Sequence, residues 1–271
     1  MTVKYDKAQC ARRNTMAQMK INFMSYTLGY PVDIELVLPT ISACDLDPGK
    51  DHSHRVKAKY PVLYLLHGHG NDAECWMRYT SVQRYAEEHR IAAVSMSVGN
   101  ICYLNADAYG ENFYALIKEE LPEFLCENFP VSGRREDTYI CGYSMGGYGT
   151  LLHALSEPEQ YRAAGIFSPA AHIGGIRERH GIPEPVEPEE LIAKARGKEL
   201  PDIFLCVGKN DFLHEDVEWL HQAFNEAKIP HLYDDLPGYG HEFALWDMEL
   251  KKFIEWLPRT DYYADKGIHA I

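Results

Sequence analysis

The sequence predicts an α/β fold: a doubly wound, mostly parallel sheet with an antiparallel N-terminal start. Short apolar, β-rich runs recur along the 271 residues, and several are apolar almost throughout instead of alternating. Strands covered by helices on both faces read this way, because neither side of the pleat meets water. Helix-like stretches lie between the runs. Strands alternating with helices, joined by right-handed crossovers, build a parallel sheet.

The strand-like runs, in order, are 34–38 (IELVL), 61–66 (PVLYLL), 91–98 (IAAVSMSV), 138–143 (TYICGY), 163–167 (AAGIF) and 203–207 (IFLCV). No helical pattern separates the first run from the second, so the sheet is expected to begin antiparallel. Helices are expected over 81–89, 112–128, 144–156, 214–227 and 241–257. Pro122 should kink or break the second of these. Glu157-Pro158 should stop the third. Segments 45–59 and 174–188 read as loops, and a small lid is expected around 170–200 within a single domain spanning 1–271. The tail 258–271 is expected to lie on the surface or fray.

Composition narrows the function. Lys plus Arg total 27 against 40 for Asp plus Glu, a net charge of −13. Such a chain repels phosphate backbones and anionic lipid, so neither nucleic acid nor membrane is an expected partner. The apolar runs are too short to span a bilayer. The N-terminus, MTVKYDKAQCARRN, lacks the apolar stretch of a signal peptide. The seven cysteines are odd in number, form no CxxC pair and fall partly in apolar runs. That is the usage of reduced, buried thiols in a cytoplasmic protein. No cysteine has partners at metal spacing. The pairs His67/His69 and His52/His54 lack a third ligand in register, so no metal is expected.

Gly142-Tyr143-Ser144-Met145-Gly146 matches G-x-S-x-G. The pattern alone is weak, but here it follows an apolar strand and opens a helix. That is the setting of a nucleophile elbow, where a strained turn holds the serine out at the carboxyl edge of the sheet. Gly142, Gly146, Gly147 and Gly149 supply the room such a turn needs. A serine hydroxyl needs a base, and the base needs an orienting carboxylate. In this setting the chain order is serine, then carboxylate, then histidine. Asp211 directly follows the run 203–207, and His241 stands before the last helix, so both suit the order. Asp216, Asp234 and Asp235 are worse placed, His172 comes too early, and His214 is expected to line the pocket. The oxyanion of acyl transfer needs two N–H donors. Met145, after the nucleophile, and His69, in the loop after PVLYLL, are expected to supply them. Trp76, Tyr143 and Phe243 are candidate substrate walls, with ordinary core packing as the alternative. Asn105, Asp107 and Tyr109 are candidates for the alcohol side.

At these residues a resemblance emerges. LLHGHGNDAECWM, CGYSMGGYG, GKNDFL and PGYGHEF together resemble the esterase D-like esterases of the α/β-hydrolase superfamily. The nearest group is the bacterial tributyrin esterase and acetylesterase subgroup, within the first carbohydrate esterase family. The similarity runs over roughly 20–257 and includes YGENFYALIKEELPEFLCENFP. The segment from Ser168-Pro169 to Pro201 is shorter than in that subgroup. The resemblance implies an α/β-hydrolase fold, no cofactor and hydrolysis of short-chain acyl esters. Carried over position by position, it implies Ser144 as nucleophile, Asp211 as orienter, His241 as base, and Met145 and His69 at the oxyanion. Related esterases often self-associate, so a homo-oligomer is expected. The expected activity is a serine carboxylesterase acting on small acetyl or butyryl esters, including acylated sugars. The alternatives are a feruloyl esterase, an acyltransferase or thioesterase such as an S-formylglutathione hydrolase, and a non-catalytic binding protein. The complete Ser, Asp, His set argues against the last. A histidine base makes the rate rise with pH, so a rate flat from about pH 5 to about pH 8 would contradict it.

Overall fold

The computed structural model describes residues 16–40, 53–106, 110–173 and 184–265. Strands β1 (Met16–Met24) and β2 (Pro31–Pro39) form an antiparallel hairpin. Then come β3 (Val62–Leu66), helices α1 (Cys75–Tyr79) and α2 (Val82–Glu88), and β4 (Ala92–Met96). Short strands β5 (Asn105–Ala106) and β6 (Glu111–Asn112) pair with each other away from the main sheet. Helix α3 covers residues 113–128, and β7 (Thr138–Tyr143) leads into α4 (Met145–Ser156). The chain continues through β8 (Ala163–Phe167), α5 (Pro188–Ala195), β9 (Asp202–Gly208), α6 (His214–Ala227), β10 (His231–Leu236) and α7 (Phe243–Trp256).

The main sheet has eight strands in the order β1-β2-β4-β3-β7-β8-β9-β10. The hairpin is antiparallel and joins β4 antiparallel, while every pairing from β4 to β10 is parallel. The expected antiparallel start is therefore β2 against β4, with β1 as an edge strand beyond it.

Strand side chains alternate between two cores, which explains the unbroken apolar runs. Val62, Tyr64 and Leu66 enter the core beneath α3, α4, α5 and α6. Leu63 and Leu65 enter the core beneath α1, α2 and α7. β9 divides the same way, with Ile203, Leu205 and Val207 on one side and Phe204 and Cys206 on the other.

The helix expected over 112–128 forms with one irregularity. Residues Leu116–Glu120 make a wide π turn immediately before Pro122. A proline ring lacks an N–H and collides with the carbonyl four residues back, and the wide turn absorbs that misfit without ending the helix. Glu120, at the end of the turn, is buried and accepts hydrogen bonds from the Ser25 hydroxyl (2.7 Å) and the N–H groups of Tyr26 (2.8 Å) and Thr27 (2.9 Å). It thereby ties the hairpin turn to the body of the fold.

Two segments that the sequence left open take shape. The described part of the expected lid is helix α5, which docks through buried Leu191, Ile192 and Ala195, while residues 174–183 lie outside the described residues. The tail does not fray up to residue 265. Arg259 pairs with buried Asp261 at 2.8 Å, and Tyr263 stacks on Tyr60 with ring centroids 5.0 Å apart. Of the expected loop 45–59, residues 45–52 lie outside the described residues. Among the described residues, no helix is long and apolar enough to cross a membrane.

Candidate active site

Five loops leave the carboxyl ends of parallel strands along one edge of the sheet, where ligands of open α/β folds bind. They carry His67–Gly70 after β3, Ser144 after β7, Ser168 after β8, Asp211 after β9 and His241 after β10.

Ser144 occupies a turn that only close glycine packing permits. Its φ is 56° and its ψ is −119°, a strained conformation for a residue with a side chain. A Cβ on Gly142 would lie 2.3 Å from the Gly146 carbonyl oxygen, and one on Gly146 would lie 2.3 Å from the Leu66 oxygen. The elbow is thus pressed against the end of β3. Ser144 donates its N–H to the Phe167 oxygen (3.0 Å) and accepts from Tyr148 (3.1 Å) and Ala170 (3.2 Å) through its carbonyl. Met145 follows as the first residue of α4, so its N–H is one that the helix itself leaves unused.

Asp211 and His241 meet directly. His241 Nδ1 lies 3.0 and 2.9 Å from the two carboxylate oxygens of Asp211, whose side chain is 0% exposed. With Nδ1 donating, the lone pair of the neutral ring sits on Nε2. Burial works against the charged form of Asp211, but the hydrogen bonds from His241 and the Leu213 N–H outweigh it and hold the carboxyl below its ordinary range. The competing carboxylates are engaged elsewhere: Asp216 with His172, Asp234 with Lys252, and Asp235 with Lys209 and His214. His214 therefore turns toward Asp235 (3.1 Å).

Trp246 links the base to the elbow. Its ring stacks on Tyr143 at 4.2 Å and meets His241 edge-on at 4.9 Å. The residue before the serine and the candidate base therefore rest on the same indole.

The loop after β3 is held by His67. The ring is fully buried, and Nε2 accepts the Val98 N–H (3.0 Å), which leaves Nδ1 protonated to donate to the Gly68 oxygen (2.8 Å). Burial lowers its basicity. Both nitrogens are thus occupied, so His67 is a loop anchor. His69 follows on the exposed part of the loop. Gly68, between them, packs on Tyr143, with a Cβ there falling 2.4 Å from the ring.

The aromatic walls need correction. Trp76 is fully buried, with its Nε1–H donated to the Leu66 oxygen at 3.1 Å. Tyr143 is also buried, its hydroxyl on Cys75 Sγ at 3.3 Å. Both are packing residues: the β7 pleat turns Tyr143 into the core beneath α1 and α7, and Trp76 enters the same core from α1. Phe243 stays half-buried, its ring 4.7 Å from that of Tyr79. The site instead has an aromatic that the sequence reading missed. Phe212 is 78% exposed and lies 4.5 Å from the His241 ring. An aromatic immediately after the carboxylate was the available signal. Asn105 is exposed and caps α3 by accepting the Ala115 N–H (3.1 Å), while Asp107 and Tyr109 lie outside the described residues.

Comparison with known proteins agrees with this architecture. Residues 50–259 match the family model described as "Putative esterase". The chain is 26% identical to an acetyl esterase of Caldicellulosiruptor saccharolyticus, over 90% of this chain and 99% of that one. It is 28% identical to the S-formylglutathione hydrolase of Mus musculus, over 68% and 78%. Among solved structures it resembles FphF, a fluorophosphonate-binding serine hydrolase of Staphylococcus aureus. The TM-score is 0.80 and the identity 30%, covering 90% of this chain and 99% of that one. The chain belongs to this esterase family and is a serine-type carboxylic ester hydrolase.

Proposed function

We propose that the protein hydrolyses short-chain acyl esters through an acyl-enzyme on Ser144, in a reducing, cytoplasmic setting. The observation that carries the mechanism is the Asp211–His241 contact at 2.9 Å, in loops that leave the same sheet edge as the elbow serine with its φ of 56°. His241 Nε2 takes the Ser144 proton as Oγ attacks the ester carbonyl. The N–H groups of Met145 and His69 receive the oxyanion. The bond to the alcohol oxygen breaks, and His241 returns the proton to it. Water then repeats the sequence on the acyl-enzyme and releases the acid. Asp211 keeps Nδ1 protonated and supports the imidazolium formed in each step. The likeness to an acetyl esterase along nearly its full length supports a short acyl group. Phe212 and Phe243 offer apolar faces to the ester beside His241. Five described cysteines are free, four of them buried, which supports the reducing setting.

Hydrolysis of p-nitrophenyl esters from acetate to octanoate, with methyl ferulate and S-formylglutathione alongside, tests the reading. Activity should peak at acetate or butyrate. A preference for ferulate or for the thioester would move the assignment to a phenolic esterase or a thioesterase.

A further inference from the structure

Asp211 and Phe212 are neighbours in a tight turn after β9 that points them opposite ways. The Asp211 N–H bonds the Gly208 oxygen (2.9 Å), the His214 N–H bonds the Asp211 oxygen (3.0 Å), and the Leu213 N–H bonds the Asp211 carboxylate (2.9 Å). The turn is also tied to the loop that carries His241, through the Asn210 N–H on the Tyr239 oxygen (2.9 Å). The Asp211 side chain is 0% exposed, whereas Phe212 is 78% exposed, and yet the phenyl centroid lies 4.5 Å from that of the His241 ring. A lone apolar side chain at a surface needs no explanation. This one is held against the candidate base by a turn whose backbone is fixed on both sides.

We propose that Phe212 determines specificity for the alcohol half of the ester, its open face receiving a flat, apolar ring on the leaving group. The inference rests on the Ser144–His241–Asp211 reading above. In that reaction Nε2 gives its proton to the departing oxygen, so the alcohol stands against the imidazole as the bond breaks. The imidazole's surroundings narrow where the alcohol can lie. Asp211 covers the Nδ1 side, and the buried Trp246 meets the ring edge-on at 4.9 Å. Of the two aromatic rings against His241, Phe212 is the one open to solvent. The acyl carbonyl belongs to Ser144 and the oxyanion donors, in the loops after β7 and β3, and β8 separates those strands from β9 and β10 in the sheet. Phe212 therefore flanks the alcohol and not the acyl chain. A phenyl face gains most from a partner ring, offset or edge-on, which adds contact area with few rotors to freeze.

The test uses benzyl acetate and ethyl acetate, whose alkyl alcohols both need the proton from His241 to leave. kcat/KM for each is read in wild type, Phe212→Ala and Phe212→Tyr. The benzyl-to-ethyl ratio cancels any change in the base that is common to both esters and reports the alcohol side. Phe212→Ala should lower that ratio about five-fold, as expected for loss of one aromatic pair. Phe212→Tyr keeps the ring and should hold the ratio within about two-fold of wild type. Benzyl butyrate read against benzyl acetate reports the acyl side, and Phe212→Ala should move that ratio by less than about two-fold. An unchanged benzyl-to-ethyl ratio in Phe212→Ala, including an equal loss on both alcohols, would reduce Phe212 to packing on His241 and overturn the proposal. So would a change confined to the butyrate-to-acetate ratio, which would put the phenyl ring on the acyl side. Turnover of these esters retained by Ser144→Ala would instead overturn the triad reading, which keeps the two failures apart.

Discussion

The side chain of Asp211 is fully buried, and both of its carboxylate oxygens lie against His241 Nδ1. The carboxylate is kept below its ordinary range by donors that outweigh its burial. Asp211→Asn keeps the shape but replaces the charge with an amide that can present its own N–H to Nδ1. His241 would then favour the wrong tautomer, and kcat should fall by about three to four orders of magnitude with little change in KM. Steady-state kinetics on p-nitrophenyl acetate check this, and a loss below about ten-fold would contradict it. The strained turn at Ser144 and the Asp211–His241 contact were legible in the sequence because each signal is local: a glycine-flanked serine between strand and helix, a carboxylate just past an apolar run, and a histidine before the last helix. Trp76 and Tyr143 prove to be core residues, since proximity to a motif does not say whether a ring turns toward the site or into the core. Phe212 had one local signal, its place directly after the carboxylate, but its approach to the His241 ring arises only where the loops after β9 and β10 meet.

At the scale of elements, the seam between α7 and β10 sets a buried carboxyl, Glu249, beside the partly exposed Asp234. Glu249 of α7 is 1% exposed, its Oε2 has no hydrogen-bond partner, and Asp234 of β10 lies against it. Burial, then repulsion from Asp234, raises its carboxyl from the ordinary 4.5 to about 7, with Lys252 opposing. Because the folded value lies above the unfolded one, the native state holds the extra proton. This contribution is complete below about pH 4.5 and is lost as pH rises to about 7. The loss is on the order of 3 kcal/mol at most. Glu249→Gln removes the titration, so its stability relative to wild type should increase between pH 5 and pH 8 in urea unfolding. Parallel pH profiles for the two proteins would contradict it. The sequence showed β2 and the fully apolar strands clearly, since burial on both faces leaves an unbroken run. It did not show β1, an edge strand whose MAQMKINFM alternates between half-buried and exposed positions. Nor did it show α5, whose PEELIAKA sits among prolines and glutamates and is held chiefly by docking on the core.

For the whole molecule, both cores share one sheet. Alternate residues of β3, β4, β7, β8 and β9 feed the two sides, so neither core can be lost while the strands stay paired. Unfolding should therefore be one cooperative transition, with calorimetric and van't Hoff enthalpies equal. Two resolved transitions would contradict a single folding unit. The same sheet gathers the site: the five loops reach one edge only because the strands from β4 to β10 run parallel. With a net charge of −13, that edge belongs to a chain better suited to neutral esters than to strongly anionic ones.

The most direct measurement of the central claim is covalent labelling with a fluorophosphonate probe, read by intact mass and peptide mapping alongside ester hydrolysis. The account predicts one adduct per chain, located on Ser144, with loss of hydrolysis in step with labelling and neither labelling nor turnover in Ser144→Ala. An adduct on another residue, or a Ser144→Ala protein that still turns over short-chain esters, would contradict it.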